Sequence, residues 1–342
     1  MPFTARTAPN RRHLGLWLAA WCVLALAGPC WPAQLAYTSM RGENQEVYVV
    51  EGDGTGSRNL THNDASDDTP VWSPDGRFIA LVSDRAGSDD VFVANADGSG
   101  LVNVSKSDGA DTCPTWAPDS LRLAFESDRD GNSEVYVVKR DGTGLTNVTR
   151  SPQSWDGAPV WSPVADLIAF LTDRKSDQDV FVLTLATGVA QDATQHEAWD
   201  SRPAWSPDGT YLAFSSHREG NIEVFVGTDR GTDIANISRS LAWDEEPAWS
   251  PDGKQLLFTS ARDGNREIYA ISLTGGAPRN LTQSPGDDFQ ATWSPDGTQI
   301  AFISERDGNQ EIYVMNADGS GQRNVSRNPG DDSEPSWRPT PK

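Results

Sequence analysis

The stretch Trp293-Ser294-Pro295-Asp296-Gly297-Thr298-Gln299-Ile300-Ala301-Phe302 is a tryptophan, a tight turn and an apolar strand. Variants of it begin at Trp72, Trp116, Trp161, Trp205 and Trp249, and Trp337 opens a seventh copy that the C-terminus cuts short. The spacings are 44, 45, 44, 44, 44 and 44 residues. A fixed period in that range marks a repeat array. Outward from the first strand, each unit continues with a polar turn such as Asp128-Arg129-Asp130-Gly131-Asn132. A second strand follows, such as Glu134-Val135-Tyr136-Val137-Val138. A glycine turn then leads to a short outer segment such as Asn324-Val325-Ser326, and a longer loop returns to the next tryptophan. Four short antiparallel strands per repeat is the composition of a propeller blade.

The unit occurs seven times, beginning near Leu35, Ile79, Leu123, Ile168, Leu212, Leu256 and Ile300. We therefore expect an all-β fold, a seven-bladed β-propeller spanning 28–342. Trp31 lies only four residues before Leu35, so the first unit lacks its own Trp strand. The segment Ser333-Glu334-Pro335-Ser336-Trp337 supplies it, which closes the ring and removes sheet edges. Proline recurs two residues before the Trp, at 70, 114, 159, 203, 247 and 335, with Ala291 the exception. Proline cannot donate to a ladder, so this strand should be the edge that lines the central channel. The Trp, an apolar residue nine later (Phe302 or Leu81) and an aromatic twenty later (Tyr313 or Phe92) form the expected inter-blade core.

Composition bounds the partners. The chain of 342 residues carries 28 Lys+Arg against 49 Asp+Glu, a formal charge of −21. Residues 1–27 hold Arg6, Arg11 and Arg12, no acid, and an apolar run from Leu14 to Ala27 that is short for a bilayer span. They read as a signal peptide cleaved near Ala27, whose loss leaves −24. The expected location is periplasmic or secreted, with no membrane span after cleavage. A surface this acidic repels nucleic acid and anionic lipid. Cys30 and Cys113, left after Cys22 departs, make no disulfide framework. We expect a monomer.

The repeat consensus, with Pro247-x-Trp249-Ser250-Pro251-Asp252-Gly253, Arg262-Asp263-Gly264-Asn265, Glu267-Ile268-Tyr269 and Asn280-Leu281-Thr282, resembles the TolB-like, WD-like repeat of bacterial envelope proteins. The resemblance covers nearly all of 28–342. It implies an extracytoplasmic propeller that serves as a scaffold for protein contacts. TolB itself places an α/β domain before a six-bladed propeller; this sequence has no room for that domain and one more repeat. Propellers of this type also cap serine peptidases, but no Gly-x-Ser-x-Gly elbow is present.

Two patterns carry functional content. An Asp stands five residues before each Trp: Asp67, Asp111, Asp156, Asp200, Asp244, Asp288 and Asp332. An Arg thirteen after the Trp (Arg85, Arg129, Arg174, Arg218, Arg262, Arg306, with Arg41 first) and an acid eighteen after it recur as regularly. Positions common to all repeats serve architecture, so Asp–Arg–acid pairing is the leading reading, and a cation-attracting ring the other. The second pattern breaks the symmetry. Trp155, Trp199 and Trp243 precede Asp156, Asp200 and Asp244 in three consecutive loops, and Phe289 follows Asp288 in the next. Aromatics on loops of a rigid scaffold suit a protein or glycan partner; packing of each Trp over its own loop is the competing reading. The expected binding set is Trp155, Asp156, Trp199, Asp200, Trp243, Asp244 and Phe289, with no catalytic residue and no resident cofactor.

His62, His196 and His217 fall in loops of the same end. A metal held by His196, His217 and Glu197 or Asp200 would make the chain a metal-assisted polysaccharide lyase or hydrolase, as some seven-bladed relatives are, and this is the alternative reading. The turn at Asp128-Arg129-Asp130-Gly131-Asn132 lacks the ligand series of a calcium loop, so calcium is the weaker reading there. The sequons at Asn59, Asn103, Asn147, Asn236, Asn280 and Asn324 recur because the outer strand recurs, and read as turn residues. Blade four departs most: Val164-Ala165 replace the Asp-Gly turn, and Asp192 takes the Asn place.

Overall fold

The computed structural model describes residues 33–340. Among these residues seven sheets form, each of four antiparallel strands. The second blade shows the plan with strands Asp67–Trp72, Phe78–Ser83, Asp90–Asn95 and Val102–Asn103. The first blade takes three strands from the start of the chain and its fourth, Asp332–Trp337, from the end. Leu35 pairs with Trp337 and Ser39 with Asp332, so the ring closes as the repeat count requires. The expected signal segment 1–27, with Cys30 and Trp31, lies outside the described residues.

The seven Trp-bearing strands contact one another around the ring and are the innermost. Each departs from regular pairing. The register shifts between Asp68 and Val71 in the second blade, and at the same place in the others. The residue at each shift is Thr69, Cys113, Ala158, Arg202, Glu246, Gln290 or Glu334, with φ between 45° and 59°. A bulge bends the strand and re-aims its side chain. An edge strand tolerates this because only one side of it is paired.

Seven apolar clusters, each shared by two adjacent blades, make up the core. The pleat explains the sharing. Ile79 and Leu81 face the first blade, whereas Ala80 between them faces the third and meets Trp116. A small residue on one face leaves room for the large indole of the next blade. The indole then donates backwards: Trp116 Nε1 to the Val71 carbonyl (2.9 Å), Trp205 to Val160 (3.0 Å) and Trp249 to Ala204 (3.0 Å).

Candidate functional site

Every innermost strand begins at one end of the propeller with its Asp, and each of the seven aspartates is fully buried. The recurrent Arg lies eighteen residues on, at the tip of the following hairpin. Arg174 Nη2 reaches both oxygens of Asp156 (2.8 and 2.7 Å), Arg218 those of Asp200 (3.2 and 3.3 Å), and Arg262 one oxygen of Asp244 (2.8 Å). The same arginines donate Nε to Thr172, Ser216 and Ser260 and lie over the rings of the strand aromatics. Arg129 and Arg218 also donate to the Ser105 and Thr194 carbonyls of the preceding blade's loop. Burial pushes the carboxyls of Asp111, Asp200 and Asp288 up despite these partners. The aspartates therefore hold the loop ends from beneath and present no oxygen to a partner, in keeping with the pairing expected of a position common to all repeats.

The acid eighteen after the Trp anchors the neighbouring loop instead of joining the Arg. Glu223 accepts from the Ser238 hydroxyl (2.6 Å) and the Ser240 N–H (2.9 Å), and Glu311 from the Ser326 hydroxyl (2.6 Å) and the Asn328 N–H (3.1 Å). The sequon asparagines act in turns: Asn324 Oδ1 accepts the N–H groups of Ser326 (3.1 Å) and Arg327 (2.9 Å).

The three loop tryptophans share a position but not a fate. Trp155 is half-buried, packs against the core between blades four and five, and donates Nε1 to Glu126 (2.9 Å). Trp199 is 55% exposed and Trp243 64%. Trp199 stacks on His217, centroids 5.9 Å apart. Leu241, two residues before Trp243, is fully exposed. Local sequence accounts for part of this difference. Asp173 accepts the Trp155 N–H (2.8 Å) and pins its loop, whereas the residues in that place are His217 beside Trp199 and Ala261 beside Trp243. Phe289 is 8% exposed, inside the cluster between the last blade and the first, with Arg266 over its ring. The structure thus brings Trp199, Leu241 and Trp243 to the surface at one end of blades five and six, and directs Phe289 inwards.

The bulges create a second feature that the repeat pattern did not disclose. Their N–H groups meet carboxylates of the preceding blade. Thr69 N–H donates to Glu334 (2.8 Å), Ala158 N–H to Glu126 (3.0 Å) and Gln290 N–H to Glu246 (2.9 Å). Arg202 lies 3.5 Å from Glu246. Burial and the nearby Glu334 push the Asp68 carboxyl up to about 6, and burial beside Glu246 raises Glu245. Cys113, at the bulge of the third blade, is an exposed residue, and partial desolvation of its thiol together with the charge of Glu126 raises its pKa. The residue at each bulge differs from blade to blade, so the repeat consensus carries no sign of it.

The histidines do not converge. His196 Nδ1 accepts the Ala198 N–H (3.0 Å), while His217 lies against Trp199. Among the described residues no three His, Cys, Asp or Glu side chains stand ready around a common metal position. No helix among them is long and apolar enough to cross a membrane.

With blade plan and loop end established, comparison with known families is decisive. The model of the TolB beta propeller domain matches residues 32–157, 154–292 and 243–342. The chain belongs to the TolB β-propeller family. No curated protein sequence matches it significantly. Among solved structures, this TolB-family propeller resembles TolB from Acinetobacter baumannii at 17% identity and a TM-score of 0.59, over 90% of this chain and 67% of that one. It resembles the putative TolB from Agrobacterium tumefaciens at 19% and 0.57, over 84% and 99% of the two chains. It also resembles an oligogalacturonate lyase in complex with manganese at 17% and 0.66, over 87% and 85%. At these identities the likeness is one of fold.

Proposed function

We propose that this TolB-family propeller is an extracytoplasmic binding or scaffold protein whose protein partner docks at the loop end of blades five and six. The observation that carries the reading is the exposure of Trp199 and Trp243, 55% and 64%, in equivalent loops of adjacent blades, where the repeat's own tryptophans lie within the ring. Solvent-exposed indoles on a rigid scaffold are expensive to leave wet and effective as binding anchors. Leu241 beside them favours a protein over a sugar, since an aliphatic side chain offers a glycan no stacking face. Exposed Glu197 and Glu219 add negative charge around the patch and favour a partner with basic groups. Asp156, Asp200 and Asp244 contribute by stiffening the loops, and Trp155 by seating the first of them. The family resemblance and the leader-like 1–27 segment support a location in the periplasm or outside the cell.

The test is capture from an envelope extract by wild type and by Trp199→Ala/Trp243→Ala, both verified folded by circular dichroism and thermal melting. Hot-spot tryptophans are each worth about 2 kcal/mol or more, so the double variant should lose its partner by at least roughly a hundredfold. Retention of the same partner by both proteins would overturn the reading. The likeness to an oligogalacturonate lyase keeps metal-assisted polysaccharide cleavage as the alternative, with His217 beside the exposed Trp199. That reading requires pectic-sugar cleavage that EDTA abolishes and His196→Ala or His217→Ala removes.

A further inference from the structure

The fourth blade differs from its sisters at one polar junction. An acid opens the third strand of every blade, and the loop after the outer strand folds over it. Asp90 shows the arrangement with the same short side chain that blade four uses. Its Oδ2 accepts from Asn103 Nδ2 (2.9 Å), and its Oδ1 from the Ser105 hydroxyl and the Ser107 N–H (both 3.0 Å). The Asn of this place is Asp192 in blade four. Asp192 Oδ1 keeps the turn-forming role and accepts the N–H groups of Thr194 (2.9 Å) and Gln195 (2.7 Å). In blades five to seven the Asn NH2 group serves instead the acid at the hairpin tip, Glu219, Asp263 or Asp307, and Lys175 stands in that place in blade four. Asp192 thus pairs with Lys175 and gives Asp179 no donor of the kind that Asn103 gives Asp90.

The consequence falls on Asp179. It is fully buried, its Oδ1 has only a 3.4 Å contact from the Thr194 hydroxyl, and its Oδ2 has no hydrogen-bond partner. Asp177 Oδ2 is likewise buried without a partner. Burial and the charges of Asp192 and Asp177 push the Asp179 carboxyl up to about 7. The ammonium of Lys175, on a side chain 53% exposed, binds Asp192 Oδ2. An open cavity of about 1040 Å³ starts here, lined in part by Lys175, Asp177, Asp192 and Gln195.

We propose that this junction is a calcium-type cation site in which Asp177, Asp179 and Asp192 supply the carboxylate oxygens and the Lys175 ammonium holds the place until the ion enters. One monovalent ammonium leaves two buried carboxylate oxygens unpaired, whereas a divalent ion neutralises more of the charge and takes both. Calcium fits the donors better than its rivals. It accepts six to eight oxygen ligands in irregular geometry, while magnesium demands a near-ideal octahedron. Zinc prefers nitrogen and sulfur, whereas these three side chains offer carboxylate oxygens alone. The cage is not preassembled; entry requires Lys175, a flexible and exposed side chain, to swing into solvent. Gln195 and water from the cavity complete the shell.

The test is calorimetric titration of EDTA-treated protein with calcium chloride, with magnesium chloride as control, beside thermal unfolding in each ion. Wild type should bind one calcium ion and melt higher in its presence. Asp192→Asn installs the residue that the other blades use, so it preserves folding, and it should weaken calcium at least about tenfold. Lys175→Ala removes the competing ammonium and should tighten binding several-fold. No calcium heat up to roughly 10 mM, above the range of weak extracellular calcium modules, would overturn the site. So would equal affinity in Asp192→Asn, or equal responses to calcium and magnesium. A melting temperature that follows pH between 6 and 8 but ignores calcium would overturn it as well, by showing that Asp179 merely holds a proton.

Discussion

At the scale of single residues, the Asp–Arg pairs show how a charge is kept inside a small-pitch repeat. Asp156 is fully buried and takes two hydrogen bonds from Arg174. Removing Arg174 would leave that carboxylate without its counter-charge, and uncompensated buried charges cost several kcal/mol. Arg174→Ala should therefore lower stability by about 3 kcal/mol in denaturant unfolding. Blade one offers the internal control. Tyr37 stands where other blades carry Phe or Leu, its hydroxyl takes Arg41 Nη2 (2.8 Å), and Arg41 is left 4.0 Å from Asp332. Arg41→Ala should cost clearly less than Arg174→Ala; equal losses would mean that the pairing is not what stabilises the loop end. This motif was legible because it recurs: an Asp five before and an Arg thirteen after every Trp can hardly serve anything but a shared geometry. What recurrence could not show was the depth of the Asp, which decides that it holds loops and does not meet a partner.

At the scale of elements, the innermost strand is where sequence reading stopped short. Pro70 and its counterparts marked it as an edge, and it is one. The bulge itself left no trace, because Thr69, Cys113, Ala158, Arg202, Glu246, Gln290 and Glu334 share no side-chain chemistry and none is Gly. Their common feature is a backbone angle, which residue type encodes weakly when the ladder is open on one side. Ala158, at φ 45°, gives a test. Ala158→Gly should stay within about 1 kcal/mol of wild type, since relief of the left-handed strain offsets the entropy of Gly. Ala169→Gly, in the regular second strand and fully buried, should cost roughly 1–2 kcal/mol. Blade-to-blade contact permits a second comparison. Trp116 donates to the Val71 carbonyl at 2.9 Å, whereas Trp161 Nε1 is buried without a partner. Trp→Phe opens a similar gap at both places, so Trp116→Phe should be worse than Trp161→Phe by about 1 kcal/mol in chemical denaturation. The loop tryptophans show the same limit of reading. Trp155, Trp199 and Trp243 look equivalent in sequence, and Asp173 against His217 and Ala261, some eighteen residues away, accompanies the divergence. Phe289 resembled a fourth loop aromatic, but one position beyond Asp288 it sits on the strand and faces the core.

At the scale of the whole molecule, buried carboxylates set how stability follows pH. Burial raises Asp332 and Asp68 to about 6, and burial with the neighbouring Asp192, Asp177 and Asp200 raises Asp179 to about 7. A carboxyl whose folded pKa lies above its unfolded value keeps its proton in the folded state where the unfolded chain has lost it. Folding is then favoured below these pKa values and the advantage is lost as pH rises through them. Carboxylates held low, such as Asp263 and Asp307 by Tyr269 and Tyr313, act oppositely, but only as pH falls below their ordinary range. The melting temperature in EDTA should therefore be highest near pH 5 and decline towards pH 8. Asp179→Asn should flatten that decline and melt above wild type at pH 8, read by calorimetry across a pH series. A slope unchanged in the variant would remove Asp179 from the account.

The closing strand also has a meaning for how the protein is made. Thr38 and Glu334, joined by a 2.7 Å hydrogen bond, are 296 residues apart in the chain. Six blades can assemble from neighbours as they leave the ribosome, but the first must wait for Asp332–Trp337 to be synthesised. Until then two raw edges face each other across a gap. A nascent chain halted before residue 332 should be digested readily by protease, and one released after Trp337 should resist. If the leader-like segment directs export, this delay works as a timer: the ring cannot lock before Trp337 has been delivered, so closure is the last step of folding and falls on the far side of the membrane.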